Sequence, residues 1–449
     1  MIGKEKVIGL LKEIIAGSRA DSTEAVFTGT DYGLTRFANS YIHQNVADQN
    51  SSVAFKVAIG KKIGVAGTNI FEKDALERAR DSAIEIAERA LPLSYFKGFA
   101  RPAKYQRIKT YFDTTADITP AKRAAAVKKI CSKAERKGLI ASGALSTSAS
   151  EIAVVNSNGV ACYQPNSSCS VNIIISSDDS SGYAQGLNRR FDKIDFGALA
   201  DRALNKCLAA RNPITLEPGK YDVILEPVAV ANLLEWLTFI AFTADPYHEK
   251  TSFLSGKKGK RIGVSNLSIY DDGLDTGGIA FPFDFEGVPK KRVYFIRKGL
   301  GGGPVYNLLT AAKYKAKTTG HGTPPGWSGG PMPLNVHVAP GKTPFTKMIS
   351  SVERGILVTR FHYINGFLDT PKALLTGMTR DGAYLVENGK IVTGVKNLRF
   401  TESMLRAFAN IQAISKETDL IDTWWSDVGC VSAPAMLIRD FNFSGKTEF

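Results

Sequence analysis

Residues able to do acid, base, nucleophilic or metal chemistry are few and dispersed in this chain. Its histidines are His43, His248, His321, His337 and His362, and no two sit at the i, i+4 spacing that sets two imidazoles on one helical face around zinc. His248 and Glu249 could open an HExxH metalloprotease motif, but Ser252 stands where its second histidine belongs, and Asp245 and Pro246 indicate a helix end or loop. A plain polar loop is the better reading. The run GLGGGP at 299–304 invites a phosphate-cradling reading, because amides free of side chains can bind anions. It lacks the Lys-Ser/Thr of a P-loop and the spacing of a dinucleotide fingerprint, which leaves a flexible turn.

Five cysteines, Cys131, Cys162, Cys169, Cys207 and Cys430, are odd in number and form no CxxC pair. That usage predicts a reducing, cytoplasmic setting. Cys430 beside Gly429 could be a nucleophile or a ligand, but with no histidine or helix evident next to it a buried structural thiol is the expectation. The densest basic stretch, SGKKGKR at 255–261, is the best local candidate for nucleic acid. It carries no interleaved aromatics for base stacking and reads as a solvated hairpin loop. Across all 449 residues, 57 Lys and Arg against 43 Asp and Glu give a formal charge of +14. Such a charge favours anionic partners and solubility and says nothing of fold.

The elements that must position these residues are legible from periodicity. An amphipathic helix spans residues 1–17, followed by strands at 24–28, 33–38, 41–45, 52–59 and 62–68, a meander rather than alternating βαβ. Residues 71–91 place Leu76, Ala79, Ala83, Ile86, Ala87 and Ala90 on one helical stripe. A second helix opens with Thr119 as N-cap and Pro120 at its first position and stops near Gly138. Strands return over 141–188, with a hairpin in EIAVVNSNGVACYQ where Asn158 and Gly159 supply positive φ. A third helix covers 195–210. The proline-framed strand 221–225 sets a boundary near residue 215. Beyond it come an apolar helix at 228–242, short strands, a Gly- and Pro-rich segment at 299–333, a late helix at 402–414 and a closing strand at 435–441. The expected fold class is α+β in two domains: 1–214 with meander strands and amphipathic helices, and 215–449 rich in antiparallel β. No apolar run reaches the roughly 18 residues of a spanning helix, so neither export nor membrane insertion is expected.

Several segments, in order along nearly the whole chain, resemble the TldD/TldE family, whose second member is also called PmbA. They are LTRFANSYIHQN at 34–45, GKKIGVAGTN, PGKYDVILEP, SFLSGKKGKRIG, FPFDFEGVPKKRVYFIRKG, TGHGTPPG, PGK at 340–342, RGILVTR, TRDGAYLVENGKI and VKNLRF. The resemblance implies a cytoplasmic protease of two homologous subunits, active on unfolded or extended peptides and historically described as a modulator of DNA gyrase. Active members carry HExxxH on the first helix of the second domain, where two histidines and a later cysteine hold zinc and the glutamate activates water.

Counting back from Thr251 and Ser252 puts Glu235 in the first histidine's place, Trp236 in the general base's and Ile240 in the second histidine's, while Cys430 falls loosely at the cysteine's place. With FPFDFEGV, TGHG and TRDGAYLVENGKI, this looks like the TldE branch. The resemblance then implies a subunit with no catalytic residues and no zinc of its own, whose TldD-type partner holds the zinc. It would close a chamber around that site, with the loops between 299 and 341 at its rim and a sheet edge offered to an extended peptide strand. The partner would be a TldD-type homologous subunit or a second copy, with an unfolded peptide as substrate; no membrane is expected, and nucleic acid is the lesser expectation. Two alternatives remain: a self-sufficient peptidase in which His248, Glu249 and Cys430 meet in space, and a DNA-associated gyrase regulator.

Overall fold

The computed structural model describes residues 1–327, 330–423 and 428–447. Its first half folds as helix α1 (Lys4–Ala16), strands β1 (Ser22–Ala38), β2 (Tyr41–Ile59) and β3 (Lys62–Thr68), and helices α2 (Lys73–Arg89), α3 (Asp113–Ala116) and α4 (Pro120–Glu135). Strands β4 (Ile140–Asn156), β5 (Ala161–Ser176) and β6 (Ser181–Asn188) and helix α5 (Phe196–Ala209) follow. The six strands make one antiparallel sheet in the order β3-β2-β1-β4-β5-β6, two meanders joined where β1 meets β4. Helices α1 and α2 bury Val7, Leu11, Leu76 and Ala83 against one face, and α4 and α5 bury Val127, Ile130, Ala200 and Ala203 against its other end.

Local chemistry accounts for these elements. The Thr119 hydroxyl accepts from Lys122 N with Pro120 at the first helical position, and the Asp195 carboxylate accepts from Gly197 N and Ala198 N at the start of α5. Helix α2 lies so close to β3 that a Cβ on Gly64 would stand 2.0 Å from the Ala83 carbonyl oxygen. Three expectations need correction. The strands expected at 24–28 and 33–38 are one continuous strand, as are those at 41–45 and 52–59, because β1 and β2 pair from Ala38 and Tyr41 to Ser22 and Ala58 through their polar middles. Within α2 it is Ile84 that is buried and Ile86 that faces solvent. In the 156–161 hairpin only Gly159 takes positive φ (93°). Asn158 needs none, since Asn156 Oδ1 accepts from Asn158 N and Val160 N and closes the turn from its side chain.

The second half contains β7 (Gly219–Leu225), α6 (Pro227–Ile240), α7 (Ala244–His248), β8 (Ile269–Asp271), β9 (Val293–Arg297), β10 (Leu300–Gly301) and α8 (Leu308–Lys313). It continues with β11 (Asn335–Val338), α9 (Phe345–Ser350), β12 (Arg354–Asp369), β13 (Leu374–Glu387), β14 (Lys390–Gly394), β15 (Leu398–Ser403), α10 (Met404–Ala409), β16 (Ile411–Ile421) and β17 (Cys430–Lys446). These strands form an 11-stranded sheet, mostly antiparallel, with β7 parallel to β12 and β11 parallel to β17. The apolar helix α6 packs across β12, β16 and β17. The helix expected at 402–414 is only the single turn-and-a-half of α10. Beyond Asn410 the chain pairs with β17 and buries Ile411, Ile414 and Ile421, so sheet pairing overrides the helical period there.

The two halves meet where Phe281, Phe283 and Phe285 insert among Val26, Ile152, Val154 and Cys162 of the first sheet. Alternate residues of FPFDFEG point into that sheet face. The turn behind them is held by the Asp284 carboxylate, which accepts from Glu286 N, Val288 N and Gly322 N at 2.7 to 3.0 Å.

Candidate functional site

Glu235, Trp236 and Ile240, which the sequence reading sets against the family's zinc motif, sit on α6. Trp236 meets Phe367 of β12 edge to face, with ring centroids 5.4 Å apart. A Cβ built on Gly366 would lie 3.0 Å from Trp236 and 3.2 Å from Ile240, so both side chains rest directly on that strand. Neither offers a lone pair to a metal. Glu235 is buried, and its backbone carbonyl accepts the Thr238 hydroxyl at 2.6 Å. Among the described residues no group of three or more His, Cys, Asp or Glu is arranged to hold a metal ion, so those residues do not fit the zinc that the family resemblance implies.

Cys430 lies elsewhere. It is fully buried at the start of β17, its N–H donating to Leu334 O at 2.9 Å and its Sγ receiving Ile279 N at 3.4 Å. Burial pushes its thiol up to about 12, against the pull of the Ile279 amide and Arg189. His248 Nε2 is 2.8 Å from the Tyr306 hydroxyl and its ring stacks on Tyr314 at 3.9 Å, with Tyr314 also reaching Glu249. Among the described residues no contact joins that group to Cys430. His321 pairs with Asp271 at 2.9 Å in full burial, which lowers the imidazole's pKa although Asp271 works the other way. His337 stacks on Tyr270, while His43 and His362 lie on β2 and β12. All five thiols are buried. Ellman's reagent at pH 8 is therefore expected to find no fast-reacting thiol in the folded protein and all five after denaturation. A rapid native thiol would identify an accessible nucleophile.

Two open cavities lie on the face of the first sheet opposite the α1 and α2 helices, and another of about 600 Å³ lies elsewhere, between the β5–β6 turn and Arg380, Asp381 and Lys396. Past Val26 this face is a carpet of small hydroxyls: Thr28 and Thr30 on β1, Ser146, Ser148 and Ser150 on β4, Ser168 and Ser170 on β5. They hydrogen-bond across strands, Thr28 to Ser52 at 2.7 Å and Ser148 to Ser168 at 2.8 Å. All but Ser150 line a cavity of about 490 Å³ with Asp48 and Asp422 at its walls. A neighbouring cavity of about 400 Å³ shares Thr28, Thr30 and Ser52 and is closed by Phe285, Pro324, Pro325, Trp327 and Val428. Part of the 299–333 segment thus lines a cavity, while Ser328 and Gly329 lie outside the described residues. Three glycines of its GLGGGP run, Gly299, Gly301 and Gly302, are closely packed rather than part of a flexible turn: a Cβ on Gly302 would stand 1.9 Å from the Tyr294 carbonyl oxygen. The 255–261 loop is largely exposed and is tied to that run by bridges from Lys258 to Gly301 and Arg261 to Leu300.

The hydroxyl face went unread in the sequence, although serine at every second position over 146–150 and 168–170 is its signal. A buried charge cluster was also missed. Glu24 and Lys56 face each other across β1 and β2, and Lys56 Nζ lies 3.9 Å from Glu24 and 3.2 Å from Glu286. Burial pushes the Glu24 carboxyl up to about 8, and neither of its oxygens has a hydrogen-bond partner. Asp284 is raised to about 7 by burial and by Glu286.

Two packed sheets, a helix that carries Glu235, Trp236 and Ile240, and polar cavities on one sheet face define an α+β chain without a metal-holding group of His, Cys, Asp or Glu among its described residues. The chain belongs to the PmbA/TldA metallopeptidase family: residues 218–445 match the model of its C-terminal domain and residues 113–211 that of its central domain. It is similar to a metalloprotease of Methanocaldococcus jannaschii, 26% identical over 50% of this chain and 51% of that protein. A TldD-homologue metalloprotease of Haemophilus influenzae is 26% identical over 54% of this chain and 51% of its own length. The chain spans about half the length of these curated relatives. Its fold is that of TldE from Thermococcus kodakarensis, with a TM-score of 0.88 at 19% identity over 98% of this chain and 99% of that one. No helix among the described residues is long and apolar enough to cross a membrane.

Proposed function

We propose that this chain is the non-catalytic, TldE-like subunit of a two-component cytoplasmic metallopeptidase that cleaves unfolded or extended peptides. In this reading it closes a chamber around the zinc of a TldD-type homologous partner. The observation that carries it is the packing of Trp236 and Ile240 onto Gly366, an apolar contact where a catalytic subunit needs a general base and a ligand. Two features support it. The hydroxyl-lined sheet face suits a wall that faces water rather than a packed interface. On β12, beside the Trp236 stack, Tyr363, Phe367 and Leu368 are 75%, 69% and 55% exposed, apolar surface that a second subunit would cover.

The test is metal analysis and peptide hydrolysis on the purified chain, alone and mixed with an HExxxH-bearing homologue from the same source. The chain alone is expected to carry no stoichiometric zinc and to leave an unfolded peptide intact, and the mixture to cleave it. One zinc per chain in this protein by itself overturns the reading.

A further inference from the structure

We infer that the outer edge of β2 from Gln44 to Ser52 is a strand-addition site for an extended polypeptide, with Asp48 favouring a basic side chain in the added strand. The inference rests on the peptide-handling role proposed above and assigns it a place.

On its inner side β2 is fully paired with β1. On its outer side β3 covers only Val53 to Ile59, and no backbone group of residues 41–52 is bonded on that side among the described residues. Nine residues from Gln44 to Ser52 therefore present an open ladder about 30 Å long at ~3.3 Å per residue. Proteins blunt such edges with lysine, proline or bulges. The only bulge here is at His43, where Ile42 and Gln44 oppose Phe37 and Arg36, and the register from Gln44 onward is unbroken. The sequence QNVADQNSS contains no lysine, arginine or proline. This edge is long, regular and unguarded.

Continuity with the cavity argues for a peptide as its occupant. Asp48, Asn50 and Ser52 share a face with Tyr32, Thr30 and Thr28, and all six line the 490 Å³ cavity. A strand added at this edge extends the hydroxyl carpet by one row, with alternate side chains in the cavity and its backbone on β2. Main-chain bonding makes capture tolerant of sequence. The charge on the wall is carried by Asp48 and Asp422, and no Lys or Arg lines the cavity among the described residues, in a protein whose formal charge is +14. A lysine or arginine at an inward position of the added strand is thus matched, and a glutamate opposed.

The experiment measures binding of fluorescent extended decapeptides, Ser/Thr-rich with a central Lys or Glu, to the full chain by polarisation. The Lys peptide is expected to bind at least 5-fold tighter than the Glu peptide, and N-methylation of its alternate backbone amides in one of the two phases to weaken it at least 10-fold. Asp48→Lys is expected to reverse the Lys/Glu preference, with an unchanged circular dichroism spectrum as the folding control. Equal binding of both N-methylated series overturns strand addition. A dimer in light scattering that Asp48→Lys dissociates overturns it in favour of a second copy on this edge. Either failure leaves the zinc-content and cleavage test of the subunit role untouched.

Discussion

Phe283→Ala is expected to lower the urea unfolding midpoint by the equivalent of about 3 to 5 kcal/mol, the cost of removing a large buried aromatic. Phe283 is fully enclosed, edge to face with Tyr105 at 5.6 Å and against Phe281 at 4.9 Å. It anchors the turn by which the second half of the chain enters the first sheet. The turn cannot readily refill the space. The Asp284 carboxylate fixes its backbone, and Gly287 at φ 71° lies where a Cβ would be 2.6 Å from Val160. Phe283→Leu, which keeps much of the volume, is expected to cost no more than about 1.5 kcal/mol. Circular dichroism and tryptophan fluorescence should be followed together, since loss of the joint is expected to split one transition into two. A Phe283→Ala midpoint equal to that of the unaltered protein would show that the joint lies elsewhere.

Glu24→Gln is expected to leave stability nearly unchanged at pH 5 and to raise it at pH 9. In the folded protein the Glu24 carboxyl is lifted from its ordinary 4.5 to about 8, first by burial and then by Glu286 and Asp284, with Lys56 opposing. Between those values the folded state binds more protons than the unfolded one. Its stability therefore falls as pH rises through that window. At ~1.4 kcal/mol per tenfold change in proton affinity, the loss attributable to Glu24 is on the order of 4 kcal/mol by pH 9. Asp284, raised to about 7, adds to the same slope. Lys56 is disfavoured by burial but held above its ordinary value by Glu286 and Glu24, and it acts only at higher pH. Removing the Glu24 charge should flatten the profile between pH 5 and 9. Unfolding midpoints at pH 5, 7 and 9 check this, and parallel profiles for the two proteins would remove Glu24 from the account.

Some features were legible because they depend on neighbours in sequence. The cap and first turn at Thr119 and Pro120, the helix that follows Asp195, the strands on either side of Gly60 and the apolar helix after Pro227 follow from local hydrogen bonding and periodicity. The late helix was misread because its apolar spacing suits both a helix and a strand, and only pairing with β17 chooses between them. The GLGGGP run was misread for a related reason: glycine allows close approach as well as flexibility, and here the Tyr294 carbonyl lies against it.

By itself the sequence determined that α6 carries no histidine, because that depends only on which side chains stand between Pro227 and Ile240, and its Trp236 and Ile240 have no lone pair to give a metal. The tertiary structure alone decided which polar groups are buried, which are open, and which backbone is left unpaired. Lys56 and Glu286 are 230 residues apart and meet only because the FPFDFEG turn docks on the first sheet. The edge from Gln44 to Ser52 is free only because β3 stops opposite Val53. Burial and strand edges belong to the assembly of elements, since they are set by which neighbours exclude water and which hydrogen bonds remain unmade.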